Sequence, residues 1–250
     1  MLESRLFPRY KIAVQDYTVN YVCNEKRAGM PILMVHGAIV SHIYFLPLAE
    51  LLASRYQIII PDLIGHGQSS KPAHVLPVVE QASMLHALLK TLSIDRVHLL
   101  ANSYGCEIAT EFAIRYPDCL DKLVLIGPAT DPHQKNIYIQ LARLFYDGVV
   151  ERPKMSIVLM RDLCCMGMGR AIDTSKQMIA YDYRPRLPWI KAPTLIVRGK
   201  NDALAPQKWV EEAQSLVPDS RLEVVANAPH NVQFTTPGPL AQLVRQFFPV

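Results

Sequence analysis

The chain has 250 residues, enough for one compact domain or for one domain that carries an insertion. Half of the residues are hydrophobic and 19% are charged, which excludes a disordered or fibrous chain, and no apolar run approaches the ~18 residues of a membrane span. The net charge of +4 comes from scattered basic residues, so it does not argue for nucleic acid. Lys11 to Gln15 and Thr18 to Cys23 predict a hairpin. Ile32 to Val35 predicts a buried strand, Leu46 to Ser54 a helix, and Gln57 to Ile60 a strand ended by Pro61. Val78 to Leu92 has apolar residues at helical spacing. Val97 to Ala101 predicts a strand, Tyr104 to Tyr116 a helix and Leu123 to Ile126 a strand. Strand Thr194 to Val197, helix Pro206 to Leu216, strand Leu222 to Val225 and helix Pro239 to Phe248 follow. Continuous apolar strands alternating with helices predict an α/β fold: a mostly parallel sheet with helices on both faces.

Residues 131–186 break that rhythm. They show helical patterns without a strand, and Pro185 and Pro188 close the stretch. Some 55 residues exceed an ordinary crossover, so the expectation is a helical lid over a core made of residues 1–130 and 187–250. Five of the nine methionines lie in the lid, with Ile157, Val158 and Leu159 beside them. They suit either an adaptable apolar pocket or the lid's own core.

Five cysteines without a C-x-x-C pair suggest neither a disulfide framework nor a zinc site, and adjacent Cys164 and Cys165 read as core thiols of a reduced protein. Met1 to Lys11 carries charges but no apolar signal-peptide core. The expected location is therefore the cytoplasm.

The chemistry centres on Ala101-Asn102-Ser103-Tyr104-Gly105, which follows one predicted strand and opens a helix. A serine on a sharp strand-to-helix turn needs small neighbours two residues either side, and Ala101 and Gly105 supply them. A serine hydroxyl is a weak nucleophile and needs a base, and the base needs an orienting acid. His230 and Asp202 lie on loops that leave the carboxyl ends of predicted strands, in the chain order serine, acid, histidine. Asp202 also suits an N-cap, and Asp131 is the second candidate acid. Backbone N–H donors for an oxyanion are expected at Tyr104 and at Ala38, in the loop His36-Gly37-Ala38-Ile39. His36 reads as structural, and so do Asp62 and His66 in the segment Asp62 to Ser69. No phosphate-binding glycine motif and no metal-ligand spacing occurs, so no cofactor is implied.

Together, the loop at His36, the D-x-x-G-H-G-x-S segment at Asp62, the elbow at Ser103, Asp202 and His230 resemble the α/β-hydrolase superfamily in its serine-nucleophile branch. The resemblance covers most of the chain and implies that fold with a Ser103–Asp202–His230 triad. Leu100 to Pro128 resembles the meta-cleavage-product C–C hydrolases. Those enzymes carry a glycine-rich loop where this chain has His36 to Val40, and a tryptophan where it has Asn231. Length and lid resemble small carboxylesterases, including pimeloyl-carrier methyl ester esterases. The expected activity is hydrolysis of a small carboxylic ester, medium-chain or carrier-linked. C–C bond hydrolysis and a non-catalytic ligand receptor are the alternatives. Residues 131–186 hold nine basic and six acidic residues, which would suit an acidic acyl carrier protein as partner.

Overall fold

The computed structural model describes residues 4–25, 29–128, 131–134 and 153–248. Eight strands form one sheet in the order β1-β2-β4-β3-β5-β6-β7-β8. They are β1 (Arg9–Val14), β2 (Tyr17–Cys23), β3 (Ile32–Val35), β4 (Ile58–Pro61), β5 (Val97–Asn102), β6 (Leu120–Ile126), β7 (Thr194–Gly199) and β8 (Ser220–Val225). The β1–β2 hairpin joins β4 antiparallel, and all other neighbours are parallel.

Strand β3 shows why the sheet is covered on both faces. Ile32 and Met34 point into one apolar cluster with Leu48 of α1 (Leu46–Leu52) and Leu240 of the last helix. Leu33 and Val35 point into the other, against α2 (Val78–Thr91) and α3 (Tyr104–Arg115). All four side chains are fully buried, each contributing roughly 1.5–3 kcal/mol through removal from water. Alternation between two dry faces explains the uninterrupted apolar run.

Beyond β6, helices α4 (Pro153–Met166) and α5 (Met168–Ala180) lie in the described part of 131–186, which ends in a 3-10 helix from Arg184, and residues 135–152 of that segment lie outside the described residues. Helices α6 (Gln207–Leu216), α7 (Val232–Thr235) and α8 (Pro237–Phe247) complete the chain. Strand β6 begins three residues before its apolar run, at Leu120. Asp121 and Lys122 interrupt the apolar pattern but not the strand, because pairing depends on the backbone.

Two expectations for the helical segment change. Cys164 and Cys165 are exposed, because they lie on the outer side of the last turn of α4, whose inner side is taken by the buried Asp162 and Met166. The methionines divide: Met155 and Met166 are buried, while Met160 and Met168 are about 60% exposed. Helical spacing sends 155, 158 and 162 inward and 157, 160 and 164 outward, so the methionines form no common pocket wall.

Candidate active site

Ser103 stands between β5 and α3 with φ 55° and ψ −125°. A non-glycine residue in this region is strained, and the turn survives because its surroundings hold it. The Ser103 N–H donates to Ile126 O (3.0 Å), and Cys106 N–H donates to Ser103 O (2.8 Å). Space is scarce around it. A Cβ on Gly105 would sit 2.5 Å from Val35 O, and one on Gly37 would sit 3.1 Å from Ser103 Cβ. Glycine thus lets β3, its following loop and α3 converge on the serine.

The loops after β7 and β8 bring Asp202 and His230 together. His230 Nδ1 donates to Asp202 Oδ2 at 2.9 Å, with both residues almost fully buried. Asp202 Oδ1 accepts from Leu204 and Ala205 N–H, both at 2.9 Å, so the same carboxylate also shapes its loop. Asp202 thus faces His230 and turns its own loop, but it is not the N-cap of the following helix, a position that Pro206 takes. Arg198 was not singled out from the sequence. Its guanidinium donates to the carbonyls of Lys200, Asp202 and Ala205 and fixes the Asp202 loop. Asn201 N–H donates to Ala228 O (2.9 Å), tying the Asp202 loop to the His230 loop. Asp131 instead accepts from His133 N–H (3.1 Å).

Gly127 is a second residue missed from the sequence. It has φ 48°, and a Cβ there would lie 2.8 Å from Asp202 Oδ2 and 3.0 Å from His230 Nδ1. It follows Ile126, the residue that accepts from Ser103 N–H, so its missing side chain lets the pair approach the elbow. Its signal was available as a glycine at the end of a predicted strand.

The loop His36 to Val40 approaches from β3. Gly37 N–H donates to Tyr44 Oη (2.9 Å), and the Tyr44 hydroxyl donates to Asn102 Oδ1. Asn102 Nδ2 donates to Ile126 O (3.0 Å) and lies 3.5 Å from His230 O. Tyr44 and Asn102 thus link this loop, the turn at Ser103 and His230. Ile39 adopts φ 61°, a costly conformation for a β-branched residue, about 1–3 kcal/mol. Ala38 is partly buried beside it, and Tyr104 is fully buried at the start of α3.

His36 and the Asp62 segment build the floor. His36 Nε2 accepts from Leu63 N–H (3.0 Å), and burial pushes its pKa down to about 4. Asp62 accepts from Asn20 Nδ2, His42 and Gln68 N–H. Burial would raise its pKa, but the His42 hydrogen bond and charge hold it well below the usual carboxylate range. His66 packs between the His36 and Tyr104 rings, and burial lowers it to about 3. Among the described residues, no group of three or more His, Cys, Asp or Glu is arranged to hold a metal ion. Among them, too, no helix is long and apolar enough to cross a membrane.

The arrangement has known counterparts. Residues 30–148 match the family model described as the alpha/beta hydrolase fold. An uncharacterized protein of Mycobacterium tuberculosis is 35% identical over 117 residues, 47% of this chain and 34% of that protein. The match thus spans about a third of that relative's length. The 2-hydroxy-6-oxo-6-phenylhexa-2,4-dienoate hydrolase of Burkholderia cepacia is 25% identical over 84% of this chain and 85% of its own. A thermophilic esterase from Thermogutta terrifontis superposes with a TM-score of 0.78 at 23% identity, over 96% of this chain and 97% of the esterase.

Proposed function

We infer that this chain, which has the α/β-hydrolase fold, hydrolyses a small carboxylic ester through an acyl-enzyme formed on Ser103. The observation that carries the reading is the buried His230–Asp202 hydrogen bond beside a serine held at positive φ. In the proposed reaction His230 Nε2 takes the Ser103 hydroxyl proton as Oγ attacks the acyl carbon. Asp202 keeps the proton on Nδ1 and stabilises the imidazolium. The N–H groups of Ala38 and Tyr104 hold the developing oxyanion. Gly37 N–H is already engaged by Tyr44, which favours Ala38 as the donor from that loop. His230 then gives its proton to the leaving alcohol, and water, deprotonated by the same imidazole, releases the acid.

Helices α4 and α5 serve in this reading as the lid that selects the acyl group. A carrier-linked ester has less support. Arg184 pairs with Asp182, Arg186 with Glu111, and Arg170 donates to the carbonyls of Pro72 and His74. These basic residues are committed within the fold, so a free small-molecule ester is the substrate proposed.

A second reading, hydrolysis of a C–C bond in a ring-fission dienoate, is favoured by the similarity to the Burkholderia cepacia hydrolase over most of both chains. One experiment separates the two. Short and medium p-nitrophenyl esters and a ring-fission dienoate are compared as substrates, each with wild type and Ser103→Ala. Ester turnover that falls at least ~10⁴-fold in Ser103→Ala, with fluorophosphonate labelling lost, supports the esterase. Preference for the dienoate selects the C–C reading. Labelling that persists in Ser103→Ala assigns the nucleophile elsewhere.

A further inference from the structure

We propose that α4 and α5 position the oxyanion hole, with Asp162 and Gln177 as positioning residues. This rests on the reading of Ala38 and Tyr104 N–H as the oxyanion donors. Each donor is tied to a different one of these helices. The loop that carries Ala38 ends at Ser41, whose hydroxyl donates to Asp162 Oδ2 of α4 at 2.7 Å. Both residues are buried, 2% and 3% exposed, and 121 positions separate them in the chain. A hydroxyl on a carboxylate away from water is a strong, directional bond. Tyr104 extends its hydroxyl to Gln177 Oε1 of α5 at 3.0 Å, across 73 positions.

The loop needs an external hold. Ile39 sits at φ 61°, so residues 37–41 would relax if released. Tyr44 holds the loop at Gly37 and Asp162 holds it at Ser41, on either side of Ala38 and Ile39. The helices are themselves anchored. Met155 and Val158 of α4 are buried in the sheet cluster, and Arg170 of α5 grips the carbonyls of Pro72 and His74. They are therefore firm enough to fix the geometry that a transition state demands.

The test compares Ser41→Ala, Asp162→Ala, Asp162→Asn, Tyr104→Phe and Gln177→Leu. Three quantities are read: kcat and KM on the best p-nitrophenyl ester, the rate of Ser103 labelling by a fluorophosphonate, and Tm. Asp162→Ala and Ser41→Ala should lower kcat and the labelling rate roughly tenfold or more, with KM within about twofold. Asp162→Asn should recover most of the loss, because its amide oxygen still accepts from Ser41. Tyr104→Phe and Gln177→Leu should lower the same two rates together. Ser41→Ala and Tyr104→Phe remove only a hydroxyl, so they carry the test if Asp162→Ala fails to fold. Wild-type kcat and labelling in both hydroxyl variants overturns the proposal, as does an Asp162→Asn no better than Asp162→Ala. Ser103→Ala is the control. If it is inactive while the positioning variants are normal, this inference alone fails; if it retains turnover, the reading of the site fails.

Discussion

At the scale of single residues, Asp202 illustrates how one carboxylate serves two purposes. One oxygen caps the loop at Leu204 and Ala205, and the other accepts from His230. Asp202→Asn preserves the shape but allows the imidazole its wrong tautomer, so turnover should fall about 10³- to 10⁴-fold while Tm changes little. Asp131→Asn should stay within a few-fold of wild type, because Asp131 holds His133 N–H. Steady-state kinetics on both variants decide it. An inactive Asp131→Asn with a normal Asp202→Asn would reverse the assignment of the acid. Asp202 and His230 were legible from their places after strands. The roles of Arg198, Asn102 and Tyr44 were not, because a buried side chain that hydrogen-bonds to distant parts of the chain leaves no local pattern.

At the scale of elements, the elbow depends on how closely α3 approaches β3. A Cβ on Gly105 would meet Val35 O at 2.5 Å and His36 O at 2.8 Å, both backbone atoms that cannot swing aside. Gly105→Ala should therefore push α3 away from β3 and cost roughly 1–3 kcal/mol. The urea midpoint should drop accordingly, and turnover should fall with it because the loop at Ala38 and the serine no longer meet. An unchanged midpoint with normal turnover would show that the packing has more room than the distances allow. Helix propensity alone points the other way, since alanine favours a helix over glycine by about 1 kcal/mol. Tertiary contact decides the sign.

At the scale of the whole molecule, buried imidazoles set the acid limit of stability. Burial lowers His36 to about 4 and His66 to about 3, against 6.5 for an open histidine. Below pH 6.5 the unfolded chain takes up these protons and the folded chain does not. Stability is thus fully present above about pH 6.5 and is lost as pH falls from there to about 4 for His36 and to about 3 for His66, by at most ~1.4 kcal/mol per pH unit for each group. Asp62, held low by His42, adds a loss only at still more acidic pH. Urea midpoints measured from pH 7 down to 4.5 should decline steadily, and His66→Gln should flatten the slope. A midpoint that stays level to pH 4.5 would contradict the assignment.

The sequence by itself determined the sheet and its helices, because two-sided burial writes continuous apolar runs such as Ile32 to Val35 and Val97 to Ala101. It also determined Ser103, Asp202 and His230 as candidates, because turns after strands concentrate functional groups at one edge of a parallel sheet. It misjudged Cys164 and Cys165, since an apolar residue type does not say which way its helix faces. Only the tertiary structure decided that Gly127 clears space for the His230–Asp202 pair, that Tyr44 reaches Asn102, and that Ser41 meets Asp162. These contacts join residues up to 121 positions apart, and their side chains obey the local geometry of the folded site rather than any period along the chain.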